Sequence, residues 1–428
     1  MAFEPQLSVI GLGYGGLPIA MAFSKKWPLK GFDLDRNRIN QLQEGFDRTG
    51  QYESDQLLGA RIHFTAEAKQ LRDCNFHLVA VPTPLNEEDQ PDLSPLVSAC
   101  KTIGTFLSRG DIVVFLATVA PGTTEDLCLY TLEQASGLIG GVDFKLAYSP
   151  NRIDPGNREQ SLLHTPRLVA AEDEATLATV LKVFRSVVQA EVTPVGSILV
   201  AEAAKVLEVT QEDLNHALMN EMAIILDKMD ISGHEVIQAA ATNPSFRSYV
   251  PGLTGGRYNA AAPYYLSQKA LTLGYTPQVI LAGRRVNDHM SNFIAAKVVK
   301  ELVRANQPVL GAKVTLMGLT LAADSSDIRH TKLKNLIREL QEFGMDLQFH
   351  DPHADPHAVK EALGMLPRKF EDLALANALV VLVPHQEYRE FGLEEWLGLM
   401  EPQGVVLDLA GFIDPKPLIS RGHRCWNL

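Results

Sequence analysis

Three glycines near the start of the chain have the spacing of a phosphate-binding turn. Gly11, Gly13 and Gly16 form a GxGxxG pattern that follows the apolar run "LSVI" and precedes a helical pattern. In such a turn the first glycine permits the bend, the second lets a pyrophosphate approach the backbone, and the third lets the helix pack on the strand. Asp33 lies in the next apolar run, "KGFDLD", where an acid accepts hydrogen bonds from ribose hydroxyls. The pattern predicts a dinucleotide-binding site.

The charges beside this turn favour one of the two common dinucleotides. The carboxylate of Asp33 would repel a 2′-phosphate, so we expect NAD rather than NADP as the cofactor. Arg36 and Arg38 are close enough in the chain to weaken that preference. We include Arg38, together with Tyr14 of the turn, among the predicted cofactor contacts.

Two threonine-containing segments follow later apolar runs. They are "VPTP" (81–84) and "ATVAPGTT" (117–124). Ligands bind at the carboxyl ends of strands in open α/β sheets, so Pro82, Thr83 and Thr118 are predicted to line the nicotinamide half of the site. The alternative is that the threonines only cap the helices that follow.

The elements that must position these residues can be inferred from the apolar pattern. The runs "LSVIGLG", "PLKGFDLD", "FHLVAVPTP", "DIVVFLATV" and "FKLAYSP" alternate with helical patterns. Helix formers then dominate from about residue 199, and "AKVTLMGLT", "DLQFHDP", "ALVVLVP" and "GVVLDLAG" resume the strands. The predicted fold class is α/β, with two Rossmann-like doubly wound domains joined by a long central helix and a helical dimerisation region. The expected domains are 1–198, 199–305 and 306–428, and a glycine-rich loop occupies 252–266.

The segment from about residue 200 to 230 predicts a homodimer. A helix that is apolar over a wide arc needs burial on two sides, here by its own domain and by a partner subunit. The apolar residues are Val206, Leu207, Leu214, Leu218, Met222, Ile225 and Leu226.

Composition excludes several other classes of function. The formal net charge of −12 argues against nucleic acid or an anionic membrane as the main partner. The four cysteines form no CxxC pair, so we expect free thiols in a reducing compartment and no metal site. The N-terminus has no basic region of a signal peptide, and the chain has no apolar run long enough to span a bilayer. These features predict a cytoplasmic protein.

The chain resembles the UDP-glucose/GDP-mannose dehydrogenases, and most closely their UDP-N-acetylhexosamine branch. The resemblance rests on "GLGYGGLP", "VPTP", "TVAPGTTED", "YSPNRIDPG", "EAAKVLEVTQEDLNHALMNE", "PGLTGG", "PYYLSQKA", "AGRRVND" and "SDIRHTK". It implies an NAD domain, a dimer-forming central helix and a C-terminal domain that holds the UDP-sugar. It also implies oxidation of a sugar alcohol to a carboxylate in two NAD-dependent steps, through a thioester on a cysteine.

The loop at 252–266 departs from that pattern. Tyr258 stands where the resemblance implies the nucleophilic cysteine, and Ala262 stands where it implies an aspartate. Elsewhere Asn151 takes the place of a glutamate, Val209 that of an asparagine and Ala322 that of a lysine. With five polar positions altered together, the thioester route is not available to this loop.

Other family positions are retained. Lys205 and Thr118 match catalytic positions, and we count Asn151 and Tyr258 with them as the predicted catalytic set. Arg329 matches the arginine of the C-terminal motif and is assigned to the cofactor. The predicted substrate-contacting residues are Arg152, Lys205, Asn220, Gly256, Arg257, Tyr258, Tyr264, Arg284 and Arg285. Alternatively, Lys205 is a solvated helix lysine, Arg284 and Arg285 are salt-bridged surface charges, and Arg257 is a structural replacement for histidine.

Three functions remain open from the sequence. In the first, Tyr258 and Lys205 form an acid/base pair for a two-electron oxidation, or for oxidation and re-reduction that epimerises a ring carbon. In the second, the protein binds NAD and a nucleotide sugar without catalysis. In the third, it has the ordinary 6-dehydrogenase activity of the family.

Overall fold

The computed structural model describes residues 3–86, 90–152, 162–253, 262–328 and 331–428. The chain divides into two compact units. The first comprises Met1–Thr210 and Ala261–Pro277, and the second comprises Gln211–Ala260 and Gln278–Leu428. The three domain boundaries expected from the sequence stay a prediction.

An eight-stranded sheet forms the centre of the first unit. Its order is β3-β2-β1-β4-β5-β6-β7-β8, and β7 is antiparallel to β6 whereas the other pairs are parallel. The strands are β1 (Leu7–Ile10), β2 (Leu29–Phe32), β3 (Ile62–Thr65), β4 (Phe76–Val79), β5 (Ile112–Phe115), β6 (Lys145–Tyr148), β7 (Arg167–Ala171) and β8 (Val192–Pro194). The central strands β1, β4 and β5 are buried along their whole length, as expected for a parallel sheet with both faces covered.

Helices cover both faces of this sheet. They are α1 (Gly16–Ser24), α2 (Arg36–Gln43), α3 (Ser54–Leu58), α4 (Ser94–Gly104), α5 (Leu129–Ser136) and α6 (Glu174–Arg185), with a π-helical turn at Thr124–Cys128 and a 3₁₀ turn at Ala68–Leu71. Leu7 and Val9 of β1 enter one apolar core, and Ile10 enters the other. This alternation follows from the two-residue period of a strand.

A single helix of 31 residues, α7 (Ile198–Lys228), runs through the boundary between the two units. Three further helices lie near it in the sequence: α8 (Gly233–Ala240), α9 (Ala262–Thr272) and α10 (Gln278–Arg304). α9 belongs to the first unit, and α8 and α10 belong to the second. The structure therefore contains the long central helix that the sequence predicts.

The second unit contains a five-stranded parallel sheet in the order β10-β9-β11-β12-β13. The strands are β9 (Lys313–Met317), β10 (Asp346–His350), β11 (Ala376–Val381), β12 (Met400–Asp408) and β13 (Arg424–Asn427). The connecting helices are α11 (Thr331–Glu342), α12 (Pro356–Leu363), α13 (Gln386–Arg389), α14 (Leu393–Leu397) and α15 (Pro415–Ser420), with a 3₁₀ turn at Phe370–Asp372.

The architecture confirms the predicted fold class of two parallel-sheet domains and a long central helix. Within the described residues, no helix combines the length and the apolar character that crossing a bilayer requires.

Candidate active site

The glycine turn that follows β1 is closed by tight packing. Gly11 has a φ of +89°, which favours glycine. A Cβ atom at Gly16 would lie 1.7 Å from the carbonyl oxygen of Gly11, so only glycine fits there. A Cβ atom at Gly13 would meet no heavy atom within 4 Å. The packing of Gly11 and Gly16 thus fits their expected roles, and the approach of a ligand to Gly13 stays a prediction.

Asp33, directly after β2, is tied to this turn. Its Oδ2 accepts a hydrogen bond from the backbone N–H of Leu12 at 2.8 Å, and its Oδ1 accepts one from the N–H of Asp35 at 3.0 Å. Each carboxylate oxygen has two lone pairs, so each can still accept from a ribose hydroxyl. The geometry therefore suits the predicted role of Asp33.

The two arginines of α2 have protein partners. Arg38 is buried, and it donates to the carbonyl oxygen of Leu12 at 3.1 Å and to Asp47 Oδ1 at 2.8 Å. Arg36 is exposed and pairs with Glu67 at 2.7 Å. Arg38 thus supports the glycine turn through the carbonyl of Leu12, and its predicted contact with the cofactor stays a prediction.

At the same sheet edge, hydrogen bonds connect the segments that follow β4 and β5. Thr83 Oγ1 donates to the carbonyl oxygen of Thr118 at 2.8 Å, and the Tyr265 hydroxyl donates to the carbonyl oxygen of Thr83 at 2.6 Å. Burial raises the pKa of Tyr265 to about 12, so its hydroxyl keeps the proton that it donates. Thr118 Oγ1 is buried and has no hydrogen-bond partner among the described residues. A buried hydroxyl without a partner is costly, and a polar ligand atom at this edge would satisfy it.

Asn151 follows β6 and lies beside the glycine turn. A Cβ atom at Gly15 would be 3.0 Å from Asn151 Nδ2, and the backbone N–H of Asn151 donates to the carbonyl oxygen of Leu116 at 2.9 Å. The neighbouring Arg152 pairs with Glu208 and donates to the carbonyl oxygen of Pro166 at 3.0 Å. Arg152 therefore has a carboxylate partner within the protein, and its contact with substrate stays a prediction.

The carboxyl ends of five adjacent strands thus carry most of the predicted cofactor and catalytic residues of the first unit. The strands lie in the order β2-β1-β4-β5-β6. In the same order along the sheet edge the residues are Asp33, the glycine turn with the half-buried Tyr14, the exposed Pro82 with the buried Thr83, Thr118 and Asn151.

The carboxylate of Glu202, which the sequence analysis did not single out, connects α7 to this sheet edge by hydrogen bonds. Glu202 is buried in α7 and accepts hydrogen bonds from the backbone N–H groups of Gly122 at 2.6 Å and Thr124 at 2.9 Å. Burial raises its pKa, although these two bonds lower it in part. Glu202 therefore links α7 to the segment that carries Thr118, and Lys205 lies half-buried one turn further along α7.

In the second unit, a buried amide pair holds the start of the glycine-rich loop. Asn220 Oδ1 accepts from the backbone N–H of Gly252 at 2.8 Å, and Asn220 Nδ2 donates to Asn287 Oδ1 at 2.9 Å. The hydrogen-bonding groups of Asn220 are therefore engaged in positioning the loop. Its predicted contact with substrate stays a prediction.

The basic pair of α10 is divided between the interior and the surface. Arg284 is buried and binds Asp213 Oδ1 at 2.6 Å and Asp288 Oδ1 at 2.8 Å. Burial raises the pKa of Asp213, and the positive charge of Arg284 opposes that shift. Arg285 is exposed. Of the two arginines, only Arg285 presents its side chain to solvent.

Part of the predicted site lies outside the described residues, namely Gly256, Arg257, Tyr258 and Arg329. Tyr264 lies within them and is half-buried at the start of α9.

None of the four cysteines is poised as a nucleophile. Cys74, Cys100 and Cys128 are buried in the first unit, and Cys425 is half-buried in β13. Burial raises the pKa of Cys74 to about 11 and that of Cys425 to about 12. The pKa of Cys128 is raised mainly by hydrogen bonding with Cys100 and secondly by burial. Because the thiolate is the reactive form, the raised pKa disfavours nucleophilic reaction of these three thiols, and Cys100 is fully buried.

The glycine turn, the acid after β2 and the threonine hydroxyl at the same sheet edge define an NAD-binding Rossmann protein. Residues 5–188 match the NAD-binding domain of the UDP-glucose/GDP-mannose dehydrogenase family, residues 199–289 its central domain and residues 315–415 its UDP-binding domain. The chain belongs to this family, and it is an oxidoreductase whose cofactor is NAD.

Similar proteins are matched over nearly their full length. The chain is 40% identical over 422 residues to Protein CapL of Staphylococcus aureus, with 99% of each chain covered. It is 39% identical over 410 residues to a UDP-N-acetyl-D-glucosamine 6-dehydrogenase of Pseudomonas aeruginosa, with 96% of this chain and 97% of the relative covered. The structure of a UDP-D-ManNAc dehydrogenase from Pyrococcus horikoshii superposes with a TM-score of 0.87 at 26% identity, over 99% of this chain and 98% of the other.

Proposed function

We propose that the protein oxidises a UDP-N-acetylhexosamine, or its uronate, by a single two-electron step in place of the four-electron oxidation. The observation that carries this proposal is the state of the thiols. The glycine-rich loop has Tyr258 where the resemblance implies cysteine, and all four cysteines lie elsewhere, either buried or half-buried. Without a thiolate, an aldehyde has no nucleophile to capture it as a thiohemiacetal.

The choice of substrate rests on the relatives and on the family. The Pseudomonas aeruginosa relative is named for UDP-N-acetyl-D-glucosamine, and the C-terminal family match is to a UDP-binding domain. Arg285, exposed on α10, is a candidate for reaching the anionic part of such a substrate.

The proposed chemistry uses Tyr258 and Lys205 as an acid/base pair. The ammonium group of Lys205 would favour the phenolate of Tyr258, which then accepts the proton of the sugar hydroxyl. When bound, NAD would supply the acceptor for the hydride of the carbon that bears this hydroxyl. The alcohol thereby becomes a carbonyl group, and one NADH and one proton are produced. Return of the hydride to the other face of the carbonyl would give an epimer.

The stoichiometry of NADH tests this proposal. Purified protein is incubated with NAD and each UDP-N-acetylhexosamine, and NADH and sugar products are measured together. One NADH per sugar consumed supports the two-electron oxidation, and an epimer without net NADH supports oxidation with re-reduction. Two NADH per sugar would establish the ordinary 6-dehydrogenase activity. Binding of NAD and UDP-sugar without any product would establish a binding protein.

A repair of the loop gives a second test. We expect the Tyr258→Cys variant to form no uronate, because Ala262, Val209 and Asn151 still lack the polar groups that the family uses. Residues that act as a unit are strongly non-additive, so one restored thiol recovers little activity. Robust uronate formation by this single variant would contradict the proposal.

We also propose a homodimer through α7. Leu218 and Ile225 are 53% and 44% exposed, whereas Ala223 and Leu226 on the same helix are buried. The part of α7 in the second unit thus has one apolar face packed in that unit and a second apolar face in solvent, which is typical of a surface that a second copy covers.

A further inference from the structure

Four potential metal ligands gather at the carboxyl edge of the second sheet. Asp324 follows β9, His353 follows β10, and His385 and Glu387 follow β11. These three strands are adjacent in the sheet, so the loops that follow them meet at one place. One ligand atom from each side chain lies within 4.8 Å of the others.

The separations between these atoms suit a single small cation. His353 Nε2 lies 3.2 Å from a carboxylate oxygen of Glu387 and 3.6 Å from Asp324 Oδ1. His385 Nδ1 lies 3.8 Å from the same Asp324 oxygen. Ligand atoms bound about 2.0–2.2 Å from a tetrahedral Zn²⁺ are themselves roughly 3.3–3.6 Å apart. Only small side-chain movements would therefore place a cation among them.

A buried carboxylate outside the cluster orients the imidazole of His385 and also binds the backbone at His353. Asp351 Oδ2 accepts from His385 Nε2 at 3.1 Å, and both side chains are fully buried. Asp351 Oδ1 accepts from the backbone N–H of His353 at 2.8 Å. A carboxylate that binds the far nitrogen of a ligating imidazole fixes its tautomer, and this arrangement is common around protein-bound metals.

The orientation of His385 directs Nδ1 toward the cluster. With Nε2 donating to Asp351, Nδ1 carries the lone pair, which now accepts the backbone N–H of Asp324 at 3.0 Å. A cation would replace this hydrogen bond with a coordinate bond. Asp324 has a φ of +58°, so its backbone is already in a conformation that non-glycine residues rarely adopt.

We propose that Asp324, His353, His385 and Glu387 form a binding site for a divalent transition metal such as Zn²⁺. Two imidazole nitrogens with two carboxylate oxygens favour Zn²⁺ over Mg²⁺, which prefers oxygen ligands in an octahedral arrangement. The bound cation would join the loops after β9, β10 and β11 in the UDP-binding domain. The cysteine pattern gave no indication of this site because none of its ligands is a cysteine.

The proposal is tested by Zn²⁺ titration of the full-length protein. The protein is stripped with a chelator, dialysed, and titrated with ZnSO₄ against a chromophoric competitor. We expect one Zn²⁺ per chain, with affinity lowered at least about tenfold in His353→Gln and in Glu387→Gln. Both side chains are partly exposed, so the variants are expected to fold, which circular dichroism checks.

A histidine and an acid of the same domain serve as matched controls. His357 and Glu361 are exposed on α12, outside the cluster, and His357→Gln and Glu361→Gln should bind Zn²⁺ as the wild-type protein does. Co²⁺ bound in place of Zn²⁺ should give visible absorption that His353→Gln abolishes. Equal Zn²⁺ affinity in all five proteins, or no stoichiometric binding by the wild-type protein, would overturn the proposal.

Discussion

Gly16 packs so closely on Gly11 that a Cβ atom at Gly16 would lie 1.7 Å from the Gly11 carbonyl oxygen. Gly13, between them in the sequence, has open space where its Cβ atom would be. The first contact holds helix α1 against strand β1, and the open space is where the family places a pyrophosphate. Gly16 therefore serves the fold, and ligand binding at Gly13 stays a prediction.

The Gly13→Ala and Gly16→Ala variants should separate these two roles. Gly13→Ala is expected to keep the thermal stability of the wild-type protein but to weaken NAD binding at least about tenfold, because the methyl group occupies the approach to the backbone. Gly16→Ala should lower the melting temperature or prevent folding, because the added methyl group would force the backbone at Gly11 to move. Thermal melts and NAD titration by fluorescence measure both. Unchanged NAD affinity in Gly13→Ala would show that the ligand does not approach there.

Asp33→Ala is expected to weaken NAD binding more than NADP binding. The carboxylate of Asp33 has lone pairs left for ribose hydroxyls, and its charge opposes a 2′-phosphate. Asp35→Ala is the matched control. Asp35 caps α2 through the N–H groups of Asn37 and Arg38, so its loss should cost about 1 kcal/mol of stability without changing the preference between the cofactors. Equal weakening of NAD and NADP by Asp33→Ala would contradict the ribose role.

Arg284 and Arg285 are adjacent in the sequence, but their substitution by alanine should have different effects. Arg284→Ala leaves Asp213 buried without its cationic partner, which should cost about 3–5 kcal/mol in urea unfolding. Arg285→Ala should change stability by less than about 0.5 kcal/mol, because its side chain is exposed. If Arg285 reaches the substrate, this variant should weaken UDP-sugar binding measured by calorimetry. Comparable stability losses in both variants would contradict the assignment of Arg284 to a buried ion pair and of Arg285 to the solvent-exposed surface.

Most strands could be predicted from apolar runs in the sequence, whereas four others could not. β3, β7, β8 and β13 have three to five residues each, and they were not predicted. β3 ("IHFT") has an exposed histidine within it, and β8 ("VTP") is a three-residue strand at the sheet edge. Such segments become strands because a neighbouring strand offers hydrogen bonds, and that neighbour lies far away in the chain.

The same limit applies to the polar groups of the site. The GxGxxG spacing and Asp33 are local, so the sequence predicts them directly. The partners of Arg284 and Glu202 are not local: Asp213 is 71 residues from Arg284, and Gly122 is 80 residues from Glu202. Whether an arginine is a substrate ligand or a buried ion pair depends on such distant partners, and no sequence spacing reveals them.

The proposed dimer predicts that Leu218→Glu yields a monomer. The glutamate carboxylate on the exposed apolar face of α7 would have to be buried in the dimer interface. The free-energy cost of removing this charge from water is larger than the cost of losing the leucine contact. Sedimentation velocity at micromolar concentration measures the change. Val142→Glu is the control, because Val142 is 75% exposed in the first unit and lies far from α7 in the sequence. A wild-type protein that sediments as a monomer would refute the prediction.

The acid/base pair predicts that Tyr258→Phe and Lys205→Ala each reduce NADH formation by about 10²–10⁴-fold, the usual contribution of a placed proton carrier. NAD affinity should remain nearly unchanged, because neither side chain belongs to the glycine turn or to the ribose acceptor. Tyr275→Phe is the control, since Tyr275 is 67% exposed and should be neutral. If Tyr258→Phe retains the wild-type rate, Tyr258 is not the proton acceptor. If Tyr258→Phe instead strengthens UDP-sugar binding in a protein without turnover, Tyr258 fills the sugar pocket and the protein is a binding homologue.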